Sequence, residues 1–347
     1  MSAHMLFRFF ILCLLAVPLM AGARTRDGIA RKIQKQFPVS QGATLLLNNR
    51  FGDITCINLD KMEISVEVTI TVETSSEEKA QKVFNAINIS FVASPGRVEV
   101  RTEFPEDLNS RNPVNVDYRI WMPATVSMDV TNKFGDVFVP RLDGKGIFHV
   151  AYGNANLEKL NHPDNQVDVK FGSATIGTVT GTVIRIQYSR LNVSFAGTLK
   201  MDSKFSDMQI DRIDQLEGTF EGGQIDVGEV SALLMTTKFS GVEIRSLGKN
   251  INLDCKYGSI DVREVSSGFQ SVKIFNKFGN VSLHLPTDAR YTLDMESKFS
   301  GIKFPEHKAS FTYREISDQG QVYRGSIGDK PSAVVVVRTE FGSVSLW

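Results

Sequence analysis

Lys133-Phe134-Gly135-Asp136-Val137-Phe138-Val139 carries the phrase that decides the fold: a cation, an aromatic, a glycine, a polar residue, then branched apolar residues at alternate places. It stands first at Arg50-Phe51-Gly52-Asp53-Ile54. It returns as Tyr152-Gly153, Lys170-Phe171-Gly172, Tyr188-Ser189, Lys204-Phe205-Ser206, Lys238-Phe239-Ser240, Lys256-Tyr257-Gly258, Lys277-Phe278-Gly279, Lys298-Phe299-Ser300 and Phe341-Gly342. From Phe134 onward the aromatics stand 18, 19, 17, 17, 34, 18, 21, 21 and 42 residues apart. The 34 reads as two 17s, with Gly222-Gly223 in the intermediate place, and the 42 as two 21s. A fixed period of this length marks a stacked repeat architecture.

The alternation inside each repeat gives its geometry. Three and five places after the aromatic the residues are apolar, as in Leu191/Val193, Ile225/Val227, Val242/Ile244, Ile260/Val262, Val281/Leu283 and Val344/Leu346. That is the period of a half-buried strand. Before the aromatic, the apolar residues stand four and six places back, as in Leu199/Met201, Leu233/Met235, Ile251/Leu253 and Leu293/Met295. The inward parity therefore changes across the phrase, which a continuous strand cannot do without turning its side chains to the other face. The glycine or serine is predicted to be the corner, supplying the unusual backbone angles. By parity the aromatic points in and the lysine before it points out. Asn132, Ser203, Thr237, Cys255, Asn276 and Ser297, two places before the aromatic, are predicted to form an inward polar ladder whose members bond one another. The expectation is an all-β fold, a β-solenoid of repeats about 17–21 residues long with two short strands each.

One excursion interrupts the array between Leu59 and Met128. Ile64 to Val72 alternate as a strand, Ser75-Ser76-Glu77-Glu78 reads as a helix start, and Ala80, Val83, Phe84 and Ile87 share one helix face. Alternating runs follow at Val98–Thr102 and Val114–Met122. The expected organisation is a signal peptide at 1–23, a lead-in at 24–44, a first repeat with a β–helix–β cap at 45–130, and the repeat array at 131–347. Arg8, the apolar run from Phe9 to Met20, and Ala21-Gly22-Ala23 form the leader pattern. Export follows from it, to the periplasm, the outer-membrane surface or the medium. No later segment is apolar for long enough to cross a bilayer as a helix.

Composition excludes little. Lys plus Arg and Asp plus Glu both number 39, so no global field favours nucleic acid. Cys56 and Cys255 fall in repeats separated by eight aromatic positions, on the order of 38 Å if strands stack at about 4.8 Å, and are expected to be separate buried fillers. His149, His162, His284 and His307 have no metal-ligand spacing, and no cofactor is implied. Asp53, Asp136 and Asp207 share one corner place. They are the best residues for an enzyme reading, a β-helix lyase or hydrolase, although aspartate also favours tight turns for its own backbone bonding. Lys133, Lys170, Lys204, Lys238, Lys256, Lys277 and Lys298 would stack into an outward basic stripe, suited either to solvent or to anionic glycans.

Leu47-Asn48-Asn49-Arg50-Phe51-Gly52-Asp53-Ile54, the charged helix near Ser75–Ile87, Tyr118-Arg119-Ile120-Trp121-Met122-Pro123 and Thr131-Asn132-Lys133-Phe134-Gly135-Asp136-Val137 together resemble the putative-adhesin family of bacterial envelope proteins. The resemblance spans about residues 40 to 347 and implies a β-solenoid without catalytic residues. It also implies a non-catalytic adhesin-like or scaffold role toward a surface protein or glycan. The competing classes are the β-helix carbohydrate-active enzyme and an envelope-stress or assembly accessory factor. Oligomeric state is left open.

Overall fold

The computed structural model describes residues 23–25, 28–105 and 112–347, so the leader expected at 1–23 lies outside the described residues except for Ala23. The chain is all-β. Among the described residues, 25 strands join one large sheet that is not closed, with a single α-helix, Glu77–Ala86.

Strand pairing follows the sequence period. Ser173–Gln187 pairs with Arg190–Lys204 in parallel at an offset of 17, and Arg190–Lys204 pairs with Asp207 onward at the same offset. Gly146–Ala151 lies 18 residues after Ser127–Lys133, and Ser271–Lys277 lies 21 after Asn250–Lys256. Each offset equals the local spacing of the aromatics, because in-register pairing keeps equivalent side chains on one face. Inward rows are apolar and buried: Leu191, Val193, Ala196, Leu199 and Met201 fill one repeat.

The corner departs from the expectation. Ten aromatics, Phe134, Tyr152, Phe171, Tyr188, Phe205, Phe239, Tyr257, Phe278, Phe299 and Phe341, hold φ between +49° and +62°, the left-handed region. Gly135, Gly153, Gly172, Gly258, Gly279 and Gly342 do not have positive φ. The aromatic is therefore the corner residue. Its left-handed backbone swings the ring outward, so lysine and aromatic are both exposed and the inward parity resumes at the next residue. Parity placed these rings inside only because it assumes an extended conformation at every position. The first repeat differs: Phe51 is half-buried, and Gly52, at φ +112°, takes the unusual angle.

A non-glycine residue in this region carries roughly 1–2 kcal/mol of strain. Tyr188 offsets it by stacking on Phe171 and Phe205, with centroids 5.3 and 5.4 Å away; such contacts contribute about 0.5–1.5 kcal/mol each. Tyr188→Ala loses both stacks and keeps the strain, and is expected to lower stability by about 2 kcal/mol. Tyr188→Gly loses the same stacks but relieves the strain, and is expected to fall only about half as far. Equal urea midpoints for the two variants would contradict this account of the corner.

Two segments depart from the period. The helix starts where Ser76 accepts from the Lys79 N–H at 3.4 Å and buries Ala80, Val83 and Phe84. Arg97–Glu103 and Val114–Met122 pair in parallel with Thr44–Asn49 and Ile54–Asn58, and Glu63–Val72 then turns antiparallel onto Val114–Met122. Gly28–Pro38, read from sequence as lead-in, is an 11-residue strand antiparallel to Glu63–Val72. At the other end the two 21s do not materialise. No aromatic stands at position 320, and a turn at Asp318-Gln319 folds Ala309–Ser317 and Gly320–Ile327 into an antiparallel hairpin. Ala333–Glu340 then inserts between Ser271–Lys277 and Tyr291–Lys298, parallel to both.

Cys56 and Cys255 are buried and free. Burial pushes the Cys56 thiol up to about 12 and the Tyr291 hydroxyl up to about 12. A raised pKa contributes stability fully present below the unfolded value, about 8.5 for the thiol and about 10 for the phenol, and lost as pH rises toward the folded value. Urea midpoints are expected to hold to about pH 8.5 and then fall. Burial raises the Cys255 thiol as well, so Cys56→Ala should shrink that fall and Cys56→Ala with Cys255→Ala should postpone it to about pH 10; an unchanged onset in the double variant would rule out the thiols as its source.

Candidate functional site

The exposed aromatics form two stacked runs along one corner. Ring centroids from Phe51 through Phe134, Tyr152, Phe171 and Tyr188 to Phe205 lie 4.9–5.4 Å apart, with planes 1–16° from parallel. A second run joins Phe239, Tyr257, Phe278, Phe341 and Phe299, in that spatial order, at 4.9–5.0 Å. The ten left-handed rings are 39–60% exposed, so the stack presents ring edges to solvent while neighbouring rings cover the faces.

Glycine next to the aromatic is required by the neighbouring strand. A Cβ on Gly153 would lie 2.1 Å from the Gly135 carbonyl oxygen, on Gly172 1.9 Å from that of Gly153, and on Gly279 2.0 Å from that of Gly258. Where serine replaces it, the hydroxyl joins the backbone network. Ser189 Oγ accepts from the Gly172 N–H and donates to the Gln187 carbonyl, and Ser206 Oγ does the same between Ser189 N–H and Lys204 carbonyl.

The polar row two places before the aromatic is buried, as expected, but its asparagines do not bond one another. Asn132 Nδ2 donates to the Gly52 carbonyl at 3.0 Å, and Asn276 Nδ2 to the carbonyls of Gly258 and Gly279 at 3.1 and 2.7 Å. The corner turns these carbonyls inward, and the amides satisfy them.

The lysines of the sequence-derived stripe lie beside the rings, Lys277 half-buried and the others exposed. In the order set by strand pairing the row reads Arg50, Lys133, Ala151, Lys170, Gln187, Lys204, Glu221, Lys238, Lys256, Lys277, Glu340, Lys298. Eight cations thus face two carboxylates. Lys133 Nζ stands 5.0 Å from the Phe134 centroid and 5.8 Å from that of Tyr152, and Lys277 Nζ 5.4 Å from that of Phe278. Lys277 also pairs with Glu340 at 3.0 Å. Like charges on adjacent strands repel. Lysine often blunts exposed sheet edges, but Lys170 and Lys204 sit on strands paired on both sides, where no edge needs blunting.

The corner aspartates serve the backbone. Asp53 Oδ1 accepts from the Asp136 N–H at 2.8 Å, Asp136 Oδ1 from the Asn154 N–H at 2.8 Å, and Asp207 Oδ1 from the Gln224 N–H at 3.0 Å. Asp117 Oδ1 accepts from the Asp53 N–H at 2.9 Å. Burial holds the Asp117 carboxyl above its ordinary range, opposed by that hydrogen bond and reinforced by the Asp53 charge. His149 Nδ1 faces Asp168 at 3.0 Å, and no cluster of three potential metal ligands occurs among the described residues.

No family model matches the chain, and no curated protein matches it. Solved structures do. This chain is similar to proteins described as bacterial adhesins. A "putative adhesin" from Parabacteroides distasonis ATCC 8503 is 10% identical over 92% of this chain and 98% of its own, at a TM-score of 0.33. A "putative cell adhesion protein" from Clostridium sporogenes ATCC 15579 is 12% identical over 91% and 99%, at 0.17. A "putative lipid binding protein", also from Parabacteroides distasonis ATCC 8503, is 9% identical over 91% and 96%, at 0.25.

Proposed function

We propose that this chain is a non-catalytic, exported, adhesin-like attachment protein: a β-solenoid over residues 131–347, capped by 45–130, whose aromatic and cationic corner contacts an anionic polymer on a bacterial surface. The observation that carries this reading is the lysine row itself, in which Lys256 and Lys277 stand side by side on paired strands and their repulsion has no structural return. An anionic chain lying along the corner would relieve that repulsion, and the ring edges, which carry the positive end of the aromatic quadrupole, add to it. Catalysis is not part of the proposal, since the corner aspartates are engaged by neighbouring amides.

Immobilised polygalacturonate and dextran test it. At low ionic strength the protein should be retained on the carboxylated polymer and pass through the neutral one. It should elute as salt shortens the Debye length below about 8 Å, with polymer length unchanged. Equal passage through both columns would reject the anionic-polymer reading, and shortening of the polymer would reject the non-catalytic one.

A further inference from the structure

The aromatic stack is broken once, between Phe205 and Phe239, where Gly222 occupies the ring position 17 residues from each. Gly222 keeps the corner's left-handed backbone at φ +74° and lacks only the side chain. With strands about 4.8 Å apart, the flanking rings stand on the order of 10 Å apart with one ring missing between them. Phe239 stacks on Tyr257 on one side only. At 60% it is the most exposed ring of the row, close to the 58% of Phe299 at the end of the stack. Phe205 leans over the empty place, its Cδ1 2.8 Å from where a Cβ of residue 222 would sit.

Beside this break, outward residues of three consecutive repeats line a shallow cavity of about 260 Å³: Arg190, Asn192, Asp207, Gln209, Gln224 and Asp226. Gln224 belongs to the repeat that lacks the ring. Its N–H donates to Asp207 Oδ1 at 3.0 Å, and its Nε2 to Asp226 Oδ1 at 3.3 Å. Cationic, amide and carboxylate groups together offer both donors and acceptors within one cleft, and Gln224 reaches toward the Phe239 repeat, its Oε1 2.5 Å from where a Cβ of Gly241 would sit.

That pairing fits one ligand chemistry. A pyranose ring has an apolar face of C–H groups and a rim of hydroxyls that each donate and accept. Inside each run ring faces are covered and only edges are available, so a sugar has nothing to stack on there. We propose that the Gly222 break and its cleft form a binding subsite for a pyranose residue of a surface glycan. The sugar's C–H face lies on Phe239, and its hydroxyl rim points toward Gln224, Asp207 and Gln209. The cavity falls below the roughly 300–1,000 Å³ of drug-sized sites, which suits one sugar ring within a longer chain. The Phe205 ring, with no neighbour on that side, swings back to admit it. This extends the attachment reading from a charged row to a discrete site, and the two fail separately, because neutral glycosides test the subsite without the lysines.

The experiment titrates the full chain with methyl glycosides of glucose, galactose, mannose, N-acetylglucosamine and galacturonic acid, following saturation by NMR. At least one should bind with a dissociation constant of about 1–10 mM, as suits a single small ring. Gln209→Ala and Gln224→Ala should each weaken it about tenfold. Gly222→Phe is the decisive variant, because phenylalanine already occupies this backbone conformation in other repeats. It should restore the stack, leave the thermal midpoint equal or higher, and abolish binding. Absence of saturation by every glycoside, or unchanged affinity in Gly222→Phe, overturns the proposal. Saturation by N-acetylphenylalanine amide with none by glycosides overturns it in favour of an inserted protein side chain.

Discussion

Gly172→Ala is expected to destabilise the chain by about 3 kcal/mol, at the upper end for overpacking a tight site. The Cβ would lie 1.9 Å from the Gly153 carbonyl oxygen and 2.9 Å from its carbonyl carbon, both backbone atoms that no rotamer change moves. Gly172 does not have positive φ, so the cost is purely one of approach between neighbouring strands. Relief requires the corners to part, and parting them loosens the Tyr152–Phe171 stack at 4.9 Å and the parallel pairing beyond it. Gly172→Ser brings the same Cβ but adds the hydroxyl that at Ser189 and Ser206 bridges a neighbouring amide and a carbonyl. It should therefore recover about 1 kcal/mol of the loss, the ordinary net value of a hydrogen bond. Urea midpoints with unchanged slopes would measure both. An alanine variant within about 0.5 kcal/mol of wild type would mean that the corner yields freely, and the account of these glycines would fail.

The stack's register was legible because the aromatic spacing is also the pairing offset: 17 between Ser173–Gln187 and Arg190–Lys204, 21 between Asn250–Lys256 and Ser271–Lys277. The helix was legible for a local reason. Ser76 followed by Glu77 and Glu78, with Ala80, Val83 and Phe84 on one face, is a helix start with an apolar face to bury. The ring direction was not. Parity counts alternate places along an extended strand, and one left-handed residue inverts the count without changing the pattern on either side. A clue did exist at Gly222. Where the aromatic is replaced, its substitute is glycine, the residue best suited to positive φ, and its φ is +74°. The insertion of Ala333–Glu340 between two earlier strands left no local trace, because parallel pairing depends on complementary rows rather than on chain order. The cleft beside Gly222 was equally hidden, since Arg190, Asp207 and Gln224 converge only through the 17-residue offset.

The lysine row is where structure and function pull apart. Reversing Lys170, Lys238 and Lys256 together (Lys170→Glu, Lys238→Glu, Lys256→Glu) is expected to weaken retention on polygalacturonate at least about 100-fold. A basic residue near an anionic surface contributes about 1 kcal/mol, so three amount to about 3 kcal/mol before the new repulsions are added, and each 1.4 kcal/mol is tenfold. Stability should move little, because these side chains are exposed and Lys170 has the uncharged Ala151 and Gln187 as its lateral neighbours. The triple glutamine variant separates charge from shape: it should lose affinity by an intermediate factor while keeping the alkyl cover over the strands. The salt dependence carries the argument furthest. Wild-type retention should fall steeply between about 0.05 and 0.3 M salt, whereas the glutamate variant, already unbound, should show no slope. If the glutamate variant binds as tightly as wild type and with the same slope, the attraction originates elsewhere on the molecule, and the corner row is a solvated face.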